Sequence, residues 1–272
     1  MKFYEVMESN SSDLSLLKKD VKKKTNKEVY DELISMLKNK DYEDSVDFIE
    51  DLVKDPKLKF ILSLGFGGEY ADTDMTIEKK VKPVNIFIPT QNEIGTEETL
   101  NYICKDAKNA EFVFKDVAVI KKPIVTFKNV FIIDGHHRWS EIYAINQNAK
   151  VETINLDCDL SPISVLKAIQ ATIGSNLGTL NRKDAKGKNL FELSEKQIKE
   201  YLEKNMTDKA KEILSKHYED PNVDPIEQVL KNCVRLKSNN HPIIDAPDRG
   251  DMPQTSKDPE LFKDLDNGIT EI

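Results

Sequence analysis

Cysteine is scarce in this sequence. Three cysteines occur among 272 residues, and they form no C-x-x-C pair; they are Cys104, Cys158 and Cys233. An odd, scattered set of this kind argues against a disulfide framework and against a cysteine-based zinc site. We therefore expect reduced thiols and a cytoplasmic protein.

Long apolar runs and an excess of positive charge are also missing. The longest apolar-rich run, residues 59–66, is far too short to span a bilayer, and the chain begins without an apolar signal core. We expect no membrane partner. The formal net charge of -8 argues against non-specific nucleic-acid binding, because that task requires clustered positive charge. It does not exclude a local basic groove.

Glycine is uncommon as well, with 10 residues, and its main cluster lies within residues 65–68. This cluster lacks the Lys-Ser/Thr pair of a P-loop and the spacing of a dinucleotide-binding fingerprint. We interpret it as a helix stop followed by a link.

Hydrophobic spacing predicts helices towards both ends of the chain and short strands between them. The predicted helices include residues 28–38, 44–54, 193–202, 208–217 and 225–236. Alternating or continuous apolar residues predict strands within residues 84–88, 117–120, 123–126, 130–133 and 151–156, the last at a sheet edge. We therefore predict an α/β (α+β) fold, in which helices flank a small mixed sheet. The predicted regions are an N-terminal helical region (1–80), the sheet-containing core (81–160), a C-terminal helical region (161–236) and a proline-rich acidic tail (237–272). The tail is either poorly folded or a strap over the core.

One stretch carries the clearest chemistry. Residues 130–143 read Val-Phe-Ile-Ile-Asp-Gly-His-His-Arg-Trp-Ser-Glu-Ile-Tyr, so an apolar strand breaks at Asp134 and Gly135 and a helical pattern follows. The free N–H groups at a helix start favour an anion, and a glycine lets the backbone approach it. His136, His137 and Arg138 add three nitrogen-bearing side chains. The sequence therefore predicts a phosphate site at this turn.

The motif Asp-Gly-His-His-Arg resembles the signature of the ParB/sulfiredoxin superfamily, in the variant found in ParB-like nuclease domains and free-serine kinases. The resemblance extends upstream through residues 123–126 and 84–89, and it covers residues 81–160. It implies a ParB/sulfiredoxin-like core that binds a nucleotide. A lone core of this kind among helical additions resembles accessory proteins of phages or mobile elements.

The resemblance also distinguishes between chemistries. His136 stands where sulfiredoxin-type members carry a cysteine, and the Gly-Glu-Arg-Arg motif and helix-turn-helix of chromosome-partitioning members are not evident. Kinase-like members share the double histidine and use a glutamate after the first strand as a base. Glu93 lies in the corresponding region. The implied ligands are ATP, or another NTP or NDP, and Mg²⁺.

Each candidate side chain also has a structural interpretation. Asp134 is a catalytic carboxylate and Mg²⁺ ligand, or it caps the following helix. Arg138 binds phosphate or forms an internal salt bridge, and Trp139 stacks on a base or packs in the core. The predicted catalytic residues are Glu93, Asp134 and His136. The predicted nucleotide-binding residues are Gly135, His136, His137 and Arg138, and Gln91 and Asn92 either bind substrate or form a turn.

Three functions follow from these residues. The favoured one is a Mg²⁺-dependent phosphotransferase or NTPase, with phosphates held at residues 134–138. The alternatives are a ParB-like nuclease or DNA-binding protein, and a non-catalytic, nucleotide-gated interaction protein. The lysine-rich helix between Lys18 and Lys27 is either a contact for a nucleic-acid or protein partner or a solvated face.

Overall fold

The computed structural model describes residues 41–54 and 75–268, apart from 106, 108–109, 181, 183–186, 219 and 221. The fold is mixed α/β, as predicted, and it divides into two compact units. The first unit comprises residues 1–72, 167–180 and 271–272, and the second comprises residues 73–166 and 181–270. No helix in these described ranges is long and apolar enough to cross a membrane.

All the strands of the described ranges lie between residues 76 and 157. The strands are β1 (Thr76–Pro83), β2 (Ile88–Pro89), β3 (Ile124–Phe127), β4 (Phe131–Asp134) and β5 (Lys150–Asp157). The α-helices of the described ranges are α1 (Tyr42–Lys54), α2 (Thr96–Lys105), α3 (Ala110–Val113), α4 (His136–Ile145), α5 (Pro162–Leu177), α6 (Glu195–Asn205), α7 (Asp208–His217), α8 (Pro225–Asn239) and α9 (Pro259–Asn267).

The described part of the first unit contains α1 and most of α5. Val46, Ile49 and Val53 recur at helical spacing on α1 and are buried. Gly174 of α5 packs closely against two of them, because a Cβ there would lie 3.0 Å from Val53 and 3.3 Å from Ile49. The predicted helix at residues 44–54 is therefore confirmed. The earlier predicted helices, the lysine-rich helix and the glycine cluster lie outside the described residues.

The second unit is built on one five-stranded sheet. Its strand order is β1-β5-β3-β4-β2, with β1 antiparallel to β5, β5 parallel to β3, β3 antiparallel to β4, and β4 parallel to β2. Strand β4 is thus an inner strand that ends at Asp134. Because β2 runs parallel to it, the chain leaves both strands at the same edge of the sheet.

Three strand predictions are wrong in detail. Residues 117–120 form no strand, and Ala118 makes only an isolated bridge with Val151. Strand β5 does not lie at an edge, because the charged strand β1 pairs with it over its whole length. Residues 84–88 do not form one strand. Val84–Ile86 is a 3₁₀ turn, in which Val84 N–H donates to Ala149 O and Val84 O accepts from the Trp139 indole.

The helical predictions agree better with the structure. Helices α6, α7 and α8 begin after Ser194, Thr207 and Asp224, whose side chains accept hydrogen bonds from the first helical turn. Trp139 is fully buried and belongs to the core, and its Nε1 donates to Val84 O at 2.8 Å. The core-packing interpretation of Trp139 is therefore confirmed.

Residues 240–258, which we call the C-terminal strap, run beside the end of β2. Asn240 Nδ2 donates to Phe87 O at 2.6 Å, Ile243 N–H donates to Pro89 O at 3.1 Å, and Asn92 N–H donates to Pro247 O at 3.0 Å. Beyond the strap, α9 buries Leu261 and Leu265. This part of the predicted tail therefore lies over the core as a strap.

Candidate functional site

Gly135 makes the turn between β4 and α4. Its φ of 105° is left-handed, a conformation that side-chain-bearing residues rarely adopt. A Cβ at this position would also lie 2.8 Å from Arg138 Nη2, because the guanidinium folds back over the turn. A glycine is therefore needed here for two reasons: the backbone conformation is left-handed, and the Arg138 guanidinium group occupies the space of a side chain.

The amino-terminal end of α4 carries no side-chain cap. Asp134 therefore does not have the capping role that was its structural alternative. In any α-helix the first N–H groups lack intrahelical acceptors, and the helix dipole makes that end electropositive. The Gly135 turn thus has the backbone features of an anion site.

Arg138 is only partly engaged by the protein. Its Nη2 donates to Pro123 O at 3.3 Å and lies 3.8 Å from Asp134 Oδ2. Its Nε is buried and finds no hydrogen-bond partner within the described residues. The contact with Asp134 is therefore a long one, and the buried Nε–H of Arg138 is left without a partner among the described residues.

His136 has a structural contact with the loop after β2. It is buried, and its Nε2 accepts the Thr90 N–H at 3.1 Å, so this nitrogen carries no proton and Nδ1 does. Burial first, and then the neighbouring His137 and Arg138, lower the pKa of His136 well below its usual value of 6.5. Nε2 is therefore occupied, and only Nδ1 is left for the predicted catalytic role.

His137 has a different environment, as expected for adjacent residues at a helix start. Burial and the charge of Arg249 lower its pKa to about 4, and Arg138 acts in the same direction, against the opposing effects of Glu98 and Asp134. Its Nε2 is buried and has no hydrogen-bond partner in the described part of the chain. His137 is therefore neutral at pH 7 and lies among two guanidinium groups and two carboxylates.

Asp134 is bound by the strap. Its Oδ2 accepts a hydrogen bond from the Thr255 hydroxyl at 2.5 Å, in addition to the distant contact with Arg138. Among the described residues, no group of three or more His, Cys, Asp or Glu side chains is placed to hold a metal ion. A hydroxyl and a guanidinium group thus contact Oδ2 of Asp134, and Mg²⁺ binding by this carboxylate stays a prediction.

The predicted substrate and base residues lie in the loop after β2. Gln91 is buried, and its Nε2 donates to Glu93 O at 2.5 Å. Asn92 Nδ2 donates to Asp248 Oδ1 of the strap. Glu93 itself is partly exposed. These contacts join Gln91 and Asn92 to the loop and the strap, and none of them reaches the Gly135 turn.

Sequence reasoning missed two charged members of the site, Glu98 and Arg249. Arg249 Nη2 donates to Glu98 Oε1 at 2.7 Å. Burial raises the pKa of Glu98, but the Arg249 hydrogen bond and charge, the Glu98 N–H and His137 together outweigh it, so the pKa is lower than usual. Glu98 was visible only as an acidic residue in a helical first turn. Arg249 lies in the predicted tail, about 150 residues downstream, where no local signal marks it.

Unpartnered polar atoms concentrate at this site. Five buried side-chain nitrogen or oxygen atoms of the described residues find no partner, and three of them are Glu98 Oε2, His137 Nε2 and Arg138 Nε. Each such atom costs about 1–3 kcal/mol when nothing satisfies it. A donor, an acceptor and a histidine nitrogen at one place suit a polar ligand.

A surface cleft of about 330 Å³ adjoins Glu98. It is lined by Glu97, Glu98, Asn101, Tyr102 and Lys105, all of helix α2. Glu98 thus lines this cleft and also pairs with Arg249 beside His137.

No protein-family model, curated protein or solved structure matches this chain. The resemblance to the ParB/sulfiredoxin superfamily stays an expectation from the residue 134–138 motif.

Proposed function

We propose that this protein binds a nucleotide through its phosphate groups at the Gly135 turn. The observation that carries the proposal is the Arg138 guanidinium, which folds over a left-handed glycine at the uncapped start of α4 and keeps a buried Nε without a protein partner. Arg138, the backbone N–H groups and the helix dipole would act together on the phosphate oxygens.

The enzymatic form of this proposal is a phosphotransferase or NTPase. Such enzymes work mainly by positioning the phosphates and neutralising their charge, which is what an arginine at a helix start supplies. Asp134 is the proposed Mg²⁺ ligand, and Thr255 already donates to one oxygen of its carboxylate, so no step is assigned to the metal. Glu93 is the proposed base from the family resemblance.

A second candidate function is a nucleotide-gated interaction protein without catalysis. What favours it is the strap, since Thr255 and Arg249 pair with Asp134 and Glu98 at the proposed site. A phosphate that competes for these contacts would loosen the strap and expose the surface under it.

A thermal-shift screen with the full chain tests the proposal. The protein is heated with ATP, ADP, CTP or GTP, each with and without Mg²⁺, since a ligand in excess raises the Tm of the state that binds it. We expect at least one nucleotide to raise the Tm, and Arg138→Ala to remove the effect. Arg235→Ala is the control, because Arg235 acts on Tyr143 towards the other end of α4. A nucleotide shift of the same size in Arg138→Ala would refute the phosphate assignment.

A further inference from the structure

A second glycine turn lies beside the first one. The chain passes from β2 through a short loop to Gly95, whose carbonyl accepts the Thr99 N–H at the start of α2. A Cβ at Gly95 would lie 2.1 Å from Glu98 Oε2 and 2.7 Å from Arg249 Nη1. The missing side chain is therefore what lets a carboxylate and a guanidinium occupy this turn.

The first turns of α2 and α4 lie side by side. Thr99 Oγ1 and Ser140 Oγ are 2.8 Å apart, and Ser140 Oγ also donates to His137 O at 3.1 Å. The parallel strands β2 and β4 lead into these two helices. The Arg138 and Arg249 guanidinium groups thus both act on His137. At the start of α2, the Thr96 N–H already donates to Lys188 O at 2.9 Å.

We propose that Arg249 and the Gly95 turn form a second phosphate subsite next to the Gly135–Arg138 subsite, so that the site binds a diphosphate or triphosphate group. This inference rests on the proposed function and specifies its ligand. In the state described, Glu98 occupies the second subsite by pairing with Arg249 through one oxygen. Its other oxygen is buried and unpartnered, so the pair is not the two-bond fork that a dedicated arginine–carboxylate pair forms.

A diphosphate has to compete with two carboxylates at this site, because each guanidinium group already has an acidic partner. Asp134 and Glu98 balance Arg138 and Arg249 when no ligand is bound. A diphosphate would replace both carboxylates as the partner of the two guanidinium groups. A single phosphate needs only one of the two turns, so it gains nothing from Arg249.

The test is calorimetric titration of the full chain with inorganic phosphate, pyrophosphate and triphosphate. Wild type is expected to bind pyrophosphate more tightly than phosphate. Arg249→Ala is expected to weaken pyrophosphate binding about tenfold or more, since it removes a charge-assisted contact, and to leave phosphate binding unchanged. Arg182→Ala is the matched control, because Arg182 pairs with Asp251 on the same strap through two nitrogens, at 2.8 and 2.7 Å.

Glu98→Gln is expected to change pyrophosphate affinity in the opposite direction to Arg249→Ala. It removes the charge that competes for Arg249, so pyrophosphate affinity should rise, whereas a purely structural ion pair predicts no gain. Arg249→Lys keeps the charge and is expected to retain part of the affinity if Arg249→Ala does not fold.

The outcomes separate this inference from the function on which it rests. Pyrophosphate binding that is lost in Arg138→Ala but unchanged in Arg249→Ala overturns the second subsite alone. Absence of binding of every phosphate compound and every nucleotide to wild type overturns the proposed function and this inference with it.

Discussion

Two strand–glycine–helix junctions lie next to each other in this protein. In the first, β4 passes through Gly135 into α4, and the arginine that covers the glycine is three residues away. In the second, β2 passes through a loop and Gly95 into α2, and the arginine comes from the strap. Both junctions place an arginine guanidinium group over a glycine at the start of a helix. In the first junction the arginine is a sequence neighbour of the glycine, and in the second it is distant in sequence.

The comparison explains why only one junction could be read from the sequence. The residue 134–138 motif contains its glycine, its histidines and its arginine in five consecutive positions. Gly95 and Glu98 precede Arg249 by about 150 residues, and only the folded strap brings them together. A local sequence pattern therefore predicts the first junction and does not predict the second.

The largest expected effect concerns His137, which lies between the junctions. Its pKa is lowered from 6.5 to about 4 in the folded protein, so between these pH values only the unfolded chain binds this proton. The free energy of unfolding should therefore fall by about 3 kcal/mol as the pH falls from 6.5 to 4. The pKa of buried His136 is lowered too, and it adds to the loss.

Denaturant unfolding at several pH values measures this effect, with fluorescence of the single tryptophan, Trp139, as the probe. His137→Gln should flatten the pH dependence, and His241→Gln, which changes an exposed residue, should not. The same slope in His137→Gln and wild type would contradict the environment we describe for His137.

The second prediction compares the two glycines. Gly135→Ala should cost about 1–3 kcal/mol of stability, because alanine is strained at positive φ. Gly95→Ala should cost less, since the atoms that meet its Cβ are the ends of flexible side chains. Denaturant unfolding of both variants checks the order. A larger loss in Gly95→Ala would show that the long-range junction is the more rigid one.

The third prediction concerns the attachment of the strap. Thr255→Val removes the hydroxyl that donates to Asp134 at 2.5 Å and keeps the shape of the side chain. We expect a loss of about 1–2 kcal/mol in the free energy of unfolding, as for hydrogen bonds to a charged group in partly buried sites. Thr255→Ser retains the hydroxyl and should lose less. Equal losses would assign the effect to packing.

The smallest expected effect on binding is that of Glu93→Ala. Glu93 is partly exposed, and its loop contacts do not reach the Gly135 turn, so nucleotide affinity should be unchanged. In the enzymatic form of the proposal its removal abolishes turnover. A nucleotide-turnover assay and a titration with the nucleotide, on the same sample, distinguish a role of Glu93 in catalysis from a role in binding. Equal turnover in Glu93→Ala and wild type would remove it as the base.

The elements that sequence predicted well depend on local periodicity and capping. Ser194, Thr207 and Asp224 mark the starts of three helices, and apolar spacing gives their inward faces. Strand β1 was missed because half of its residues are charged and none is buried, and only pairing with β5 makes it a strand. The 3₁₀ turn at Val84 was missed because a distant indole and Ala149 fix it.

We propose that phosphate groups bind between the Gly135 and Gly95 turns, beside His137. The most direct measurement is an NMR pH titration of ¹³C-histidine-labelled protein, with and without inorganic pyrophosphate. A bound anion favours the charged imidazole, so we predict that pyrophosphate raises the pKa of His137. An unchanged His137 pKa at saturating pyrophosphate would contradict the account.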